Sequence, residues 1–108
     1  MATVELNGAA IDSWESFHAE SRRVFGFPES YGNSMDSWVD CLSYLRDDDS
    51  MANVRLKPAE VLQIVITDAA VLRERLPELL EEVTFCVGGI NERYEDYGEK
   101  PALALVLR

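Results

Sequence analysis

Residues 61–67 read VLQIVIT, a run rich in β-branched side chains in which only Gln63 and Thr67 are polar. A strand with one wet face alternates apolar and polar residues, whereas a run this continuous suits a strand covered on both faces. The chain is therefore expected to build a sheet around this segment, with helices on both sides and partner strands drawn from elsewhere in the sequence.

Two such strands stand at the ends of the chain. Near the start, ATVEL alternates small or apolar with polar residues and is stopped by the turn pair Asn7-Gly8. At the end, ALALVLR follows Gly98 and Pro101 and reads as a buried strand. Helical periods fill the gaps. Asp12 and Glu15 have the spacing of a capping box, and Ile11, Trp14, Phe17, Ser21 and Phe25 trace one face at steps of three or four, with Ser21 its weak member. This first helix is expected to end near Gly26, where Phe27-Pro28 breaks the chain and a loop runs through Gly32.

A second helix is expected from Ser34, a good N-cap, to about Leu45. At about 100° per residue, Trp38, Cys41, Leu42 and Leu45 form its apolar wall, while Asp36, Asp40 and Tyr44 turn away from the core. After the central strand, Asp68 can cap a helix over AAVLRERL, and Pro77 suits the first turn of a longer one. In that longer helix Leu79, Leu80, Val83, Cys86 or Val87, Ile90 and Tyr94 recur at helical intervals. The order is β-α-α-β-α-α-β, a three-stranded parallel sheet packed with about four helices. Crossovers of this length cannot form hairpins and are expected to be right-handed.

At 108 residues, with 47% apolar and 28% charged residues, the chain suits one domain, residues 1–108, with a core of its own. Twenty acids against ten bases give a formal charge of −10, which repels a nucleic-acid backbone. Acidity of this kind serves solubility or a basic protein partner, and composition alone does not separate the two. Cys41 and Cys86 have apolar neighbours at helical spacing and no second Cys or His at metal-ligand distance, so both are expected to be buried thiols. The N-terminus lacks a basic and an apolar signal region, and no stretch reaches eighteen apolar residues, so a cytoplasmic protein is expected.

Signs of catalysis are sparse. His18, the single histidine, has no serine motif beside it and is expected in a surface or half-buried structural role. Gly88-Gly89 lies inside a helical period rather than between a strand and a helix, so close helix packing is expected there and a phosphate cradle is not. The run Asp47-Asp48-Asp49 reads as a solvated loop.

Asp36 and Asp40 differ from these because their spacing carries a penalty. Like charges at i and i+4 destabilise a helix by roughly 0.2–0.5 kcal/mol. The helix dipole offsets about 0.3–1 kcal/mol per charge near the N-terminus, and helps Asp36 more than Asp40. Residues 26–50 hold six acids against Arg46 alone, a net −5 that is half the charge of the molecule. With Tyr31 and Tyr44, this segment has the composition of a polar, aromatic-bearing protein-binding face whose complement is positive.

The segment FPESYGNSMDSWVDCL resembles the loop-plus-helix motif of the barstar family, intracellular inhibitors of the bacterial ribonuclease barnase. The likeness rests on Pro28, Glu29, Tyr31, Gly32, Met35, Asp36 and Asp40-Cys41-Leu42, and extends more loosely to VELNG and the last strand. It implies a three-stranded parallel sheet packed with helices. It also implies a mechanism, in which an acidic helix plugs a basic ribonuclease active site with carboxylates in place of RNA phosphates. The implied partner-binding residues are Tyr31, Gly32, Ser34, Met35, Asp36, Val39, Asp40, Ser43 and Tyr44, flanked by Glu29, Ser30 and Asp47. The family's acidic residue on the last helix corresponds to Glu92 or Glu95, since an insertion around residues 84–99 leaves both open.

The chain also departs from the family pattern. Ser30 and Val39 stand where the family has aromatics, Trp38 takes an inward position usually held by leucine, Leu45 replaces a tryptophan and Tyr44 a glycine. These changes point to a ribonuclease or RNase toxin other than barnase, with this chain as its immunity protein. No catalytic residue, metal or cofactor is expected, nor contact with nucleic acid or membrane, and the free protein is expected to be a monomer. A binding module of the same fold for a non-nuclease partner is the alternative. A hydrolase using paired carboxylates is the more distant rival, because no nucleophile motif or metal set accompanies the acids.

Overall fold

A computed structural model describes residues 2–47 and 52–108; Asp48 and Asp49 of the expected acidic loop lie outside them. Three strands, β1 (Ala2–Asn7), β2 (Leu62–Thr67) and β3 (Leu103–Leu107), form one sheet in the order β1-β2-β3. Both pairings are parallel, with Ala2 beside Leu62 and Leu62 beside Leu103. The apolar run is thus the middle strand. Ile64, Val65 and Ile66 point alternately to opposite faces and all three are buried, which requires cover on both sides. Four helices supply the crossovers, α1 (Trp14–Phe25), α2 (Met35–Leu42), α3 (Ala69–Arg75) and α4 (Pro77–Asp96). The order β-α-α-β-α-α-β is the expected one, with one added turn of 3-10 helix at Gly8–Ala10. Gly8 is required there, because a Cβ would meet the Thr67 carbonyl where the chain leaves the sheet.

α1 packs against β1, α4 against β3, and α2 lies along α4. The first helix starts one residue later than its expected box. Ser13 is the N-cap, its Oγ accepting from Ser16 N–H at 3.1 Å, while Ser16 Oγ accepts from Ser13 N–H at 3.0 Å. A serine at the third helical position therefore does the work expected of Glu15. Trp14, at the first helical position, is 40% exposed, whereas Ser21 is fully buried and accepts the Trp38 indole N–H at 3.2 Å. The weak member of the apolar face is thus the polar partner that lets a tryptophan be buried.

α2 begins at Ser34 as expected, with Ser34 Oγ accepting from Ser37 N–H. It stops at Leu42, short of Leu45, because Tyr94 intercepts the backbone. The Tyr94 hydroxyl accepts Leu45 N–H at 2.9 Å and donates to the Leu42 carbonyl at 3.3 Å. Asp68 precedes α3 but makes no side-chain cap bond, its backbone being left-handed at φ 50°. Pro77 opens α4, in which Cys86 and Val87 are both buried, and Gly98 (φ 78°) follows its end. Close packing at Gly88-Gly89 is not found, since nothing lies within 4 Å of a Cβ built at either residue.

Candidate partner-binding face

Asp36 and Asp40 both stand exposed on α2, opposite the buried Trp38, Cys41 and Leu42. Asp36 lies in the first turn, where the helix N-terminus favours a carboxylate. It is also close enough to α4 to act on the Cys86 thiol, which burial first, and then Glu82 and Asp36, pushes up to about 11. One helical turn on, Asp40 meets Arg93: Nη1 lies 3.4 Å from Asp40 Oδ1 and donates to Ser43 Oγ at 3.2 Å. α2 and α4 therefore run in the same direction, and α4 contributes a cation to the acidic face. Asp40 remains 61% exposed and Arg93 50%, so their attraction is that of a solvent-screened surface pair.

Arg46, the lone base of the acidic segment, is turned inward. Its side chain is 5% exposed, its guanidinium lies 5.1 Å from the Tyr94 ring centroid, and it pairs with Glu99 at 3.4 Å. It also donates to the Lys100 and Glu60 carbonyls at 2.7 and 2.8 Å. Its charge is spent on holding the turn after α2 to the end of α4, so the outward surface of residues 26–47 carries acids without it.

Tyr31, one of the implied partner-binding residues, is buried. It is 5% exposed, its ring packs on Phe27 at 4.6 Å between centroids, and its hydroxyl lies 2.6 Å from His18 Nδ1. His18 is correspondingly buried, beyond the surface or half-buried role expected of it. Burial, aided by the Arg22 charge, lowers the His18 pKa, and burial raises that of Tyr31. This pair pins the loop from behind, whereas Tyr44 is 43% exposed.

Glu29, Ser30, Gly32, Ser34 and Asp47 are exposed, while Met35, Val39 and Ser43 are half-buried. Gly32 sits where a Cβ would meet Ser37 Oγ at 2.7 Å, so the loop closes onto the start of α2. Between that loop and α2 lies a shallow hollow of about 160 Å³ bordered by Ser30, Tyr31, Ser37 and Asp40. Glu92 and Glu95 are both exposed, and neither borders the larger groove of about 530 Å³ between the turn after α2 and the end of α4. Asp96, Tyr97 and Arg93 do border it, and sequence reasoning missed all three. The available signal was the acid and aromatic clustering at the end of the last helix. The thiols Cys41 and Cys86 are free and buried, as expected. Among the described residues no helix is long and apolar enough to cross a membrane.

A three-stranded parallel sheet packed with four helices, the second of which presents an exposed carboxylate pair, defines the described residues as an α/β domain. The family model described as Barstar (barnase inhibitor) matches residues 1–106, and the chain belongs to the barstar family. No curated protein matches the chain.

Proposed function

We propose that this chain is a non-enzymatic inhibitor that occludes the active site of a basic ribonuclease with α2 and the loop before it. In this reading it is the immunity protein of a ribonuclease or RNase toxin other than barnase and acts in the cytoplasm as one domain. The observation that carries the reading is the exposure of Asp36 and Asp40 on one outward stripe, in a chain of net charge −10 that belongs to a family of barnase inhibitors. Acids that repel each other in the free protein gain charge-assisted hydrogen bonds from the Arg, Lys or His of a nuclease once bound. Neighbouring side chains then set the target. Ser30 and Val39 offer no aromatic anchor, and Leu45 is buried, so contact area must come from Tyr44 and the residues around it.

A ribonuclease inhibition assay against secreted or contact-delivered nucleases tests the proposal. Inhibition by the parent chain that is relieved by Asp36→Ala ties the effect to this face; no inhibition of any nuclease in the panel counts against it. The missing aromatics at Ser30 and Val39 favour the second reading, a non-nuclease partner for the same face. Copurification of a protein without nuclease activity, lost in Asp36→Ala, would support that reading.

A further inference from the structure

We infer that the groove between the turn after α2 and the C-terminal end of α4 binds an arginine side chain of the partner, giving the inhibitor a second point of grip beside Asp36 and Asp40. The inference rests on the inhibitor reading for the partner's identity, and on the groove itself for its chemistry. At about 530 Å³ the groove falls within the size of small-ligand clefts, roughly 300–1,000 Å³. Tyr44 and Tyr97 border it with 43% and 84% of their surface exposed, so large aromatic faces are left uncovered by the chain's own packing. Asp47, Asp96 and Glu99 add carboxylates. Aromatic faces beside carboxylates recognise a cation through ring attraction and ion pairing together, and a planar guanidinium uses both better than an ammonium does.

The molecule already performs this recognition once. At the back of the groove the Arg46 guanidinium lies over Tyr94 and against Glu99. Arg93, the cation at the groove's edge, is engaged by Asp40 and Ser43. Tyr44, Tyr97, Asp47 and Asp96 line the groove with the same residue types that hold Arg46, an aromatic ring and a carboxylate, with the guanidinium to be supplied by the partner.

The test uses the full chain, isotope-labelled, with acetyl-glycyl-arginyl-glycine amide as the probe at constant ionic strength. The expected result is saturable amide shifts concentrated at Tyr44, Asp47, Asp96 and Tyr97. The lysine peptide should bind roughly threefold more weakly, and the neutral citrulline peptide should give no saturable shift. Tyr97→Ala and Asp96→Asn, both at exposed positions, are each expected to weaken arginine binding by roughly threefold. Shifts spread over all surface acids alike, or binding unchanged in both variants, would overturn the inference. No nuclease is used, so the two readings fail separately. A chain that binds the peptide in the groove but inhibits no ribonuclease loses the inhibitor reading alone. Asp36-dependent inhibition without groove binding removes the groove alone.

Discussion

Arg93 Nη1 lies 3.4 Å from Asp40 Oδ1, so the second acid of the exposed α2 stripe has a counter-ion from α4 before any partner arrives. A partner's cation must compete with Arg93 for that carboxylate. Arg93→Ala is expected to change folding stability by less than about 1 kcal/mol, as befits a solvent-screened pair. It should also speed association with a basic ribonuclease and steepen its decline with salt, because the face becomes more negative. Chemical denaturation beside stopped-flow association over a range of ionic strength checks both, and an unchanged salt slope would argue that Asp40 plays no part in steering.

Asp40→Asn keeps the shape of the face and removes its charge. If Asp40 receives charge-assisted hydrogen bonds in the complex, the substitution should weaken binding by about 1.5–3 kcal/mol. Folding stability should shift by less than about 1 kcal/mol. Titration calorimetry on the complex and denaturation of the free chain separate the two, and equal affinities of variant and parent would contradict the proposed role.

His18, buried against Tyr31, has a folded-state pKa below its ordinary 6.5, through burial and then the Arg22 charge. Between the folded and the unfolded pKa the unfolded chain binds more protons, so stability rises with pH through that window. The contribution is fully present above about 6.5 and is lost as pH falls toward the folded value, with a slope of at most about 1.4 kcal/mol per pH unit. Denaturation midpoints at pH 7.5 and 5.5 should therefore differ, and His18→Gln should shrink the difference. An identical pH dependence in that variant would assign the effect to other groups.

Tyr94→Phe removes the hydroxyl that accepts Leu45 N–H and donates to the Leu42 carbonyl. Leaving these buried groups unpaired should destabilise the fold by about 1–3 kcal/mol. The change should also speed amide exchange in the turn that carries Tyr44. Exchange confined to the parent's rate at Leu45 would show that the hydroxyl does not hold this turn.

Elements whose signals are local are legible in the sequence. The continuous apolar run of β2 required burial on both faces, Ser34 and Pro77 marked helix starts, and the helical period on α2 was enough to place Trp38 inward and Asp36 and Asp40 outward. The capping of α1 falls one residue later than the Asp12 and Glu15 spacing suggests, because Ser16 Oγ accepts from both Asp12 N–H and Ser13 N–H while Ser13 Oγ accepts from Ser16 N–H.

The order of strands and helices and the outward direction of the carboxylate pair follow from local chemistry, because backbone periodicity and proline or serine preferences act within a few residues. Only the packing of whole elements brings Arg93 to Asp40, turns Arg46 inward onto Tyr94, and buries Tyr31 against His18. Each of these joins residues distant in the chain, and which side chains meet depends on the relative placement of whole elements around the sheet. Close approach between such side chains follows from packing the shared core, and no local pattern encodes it.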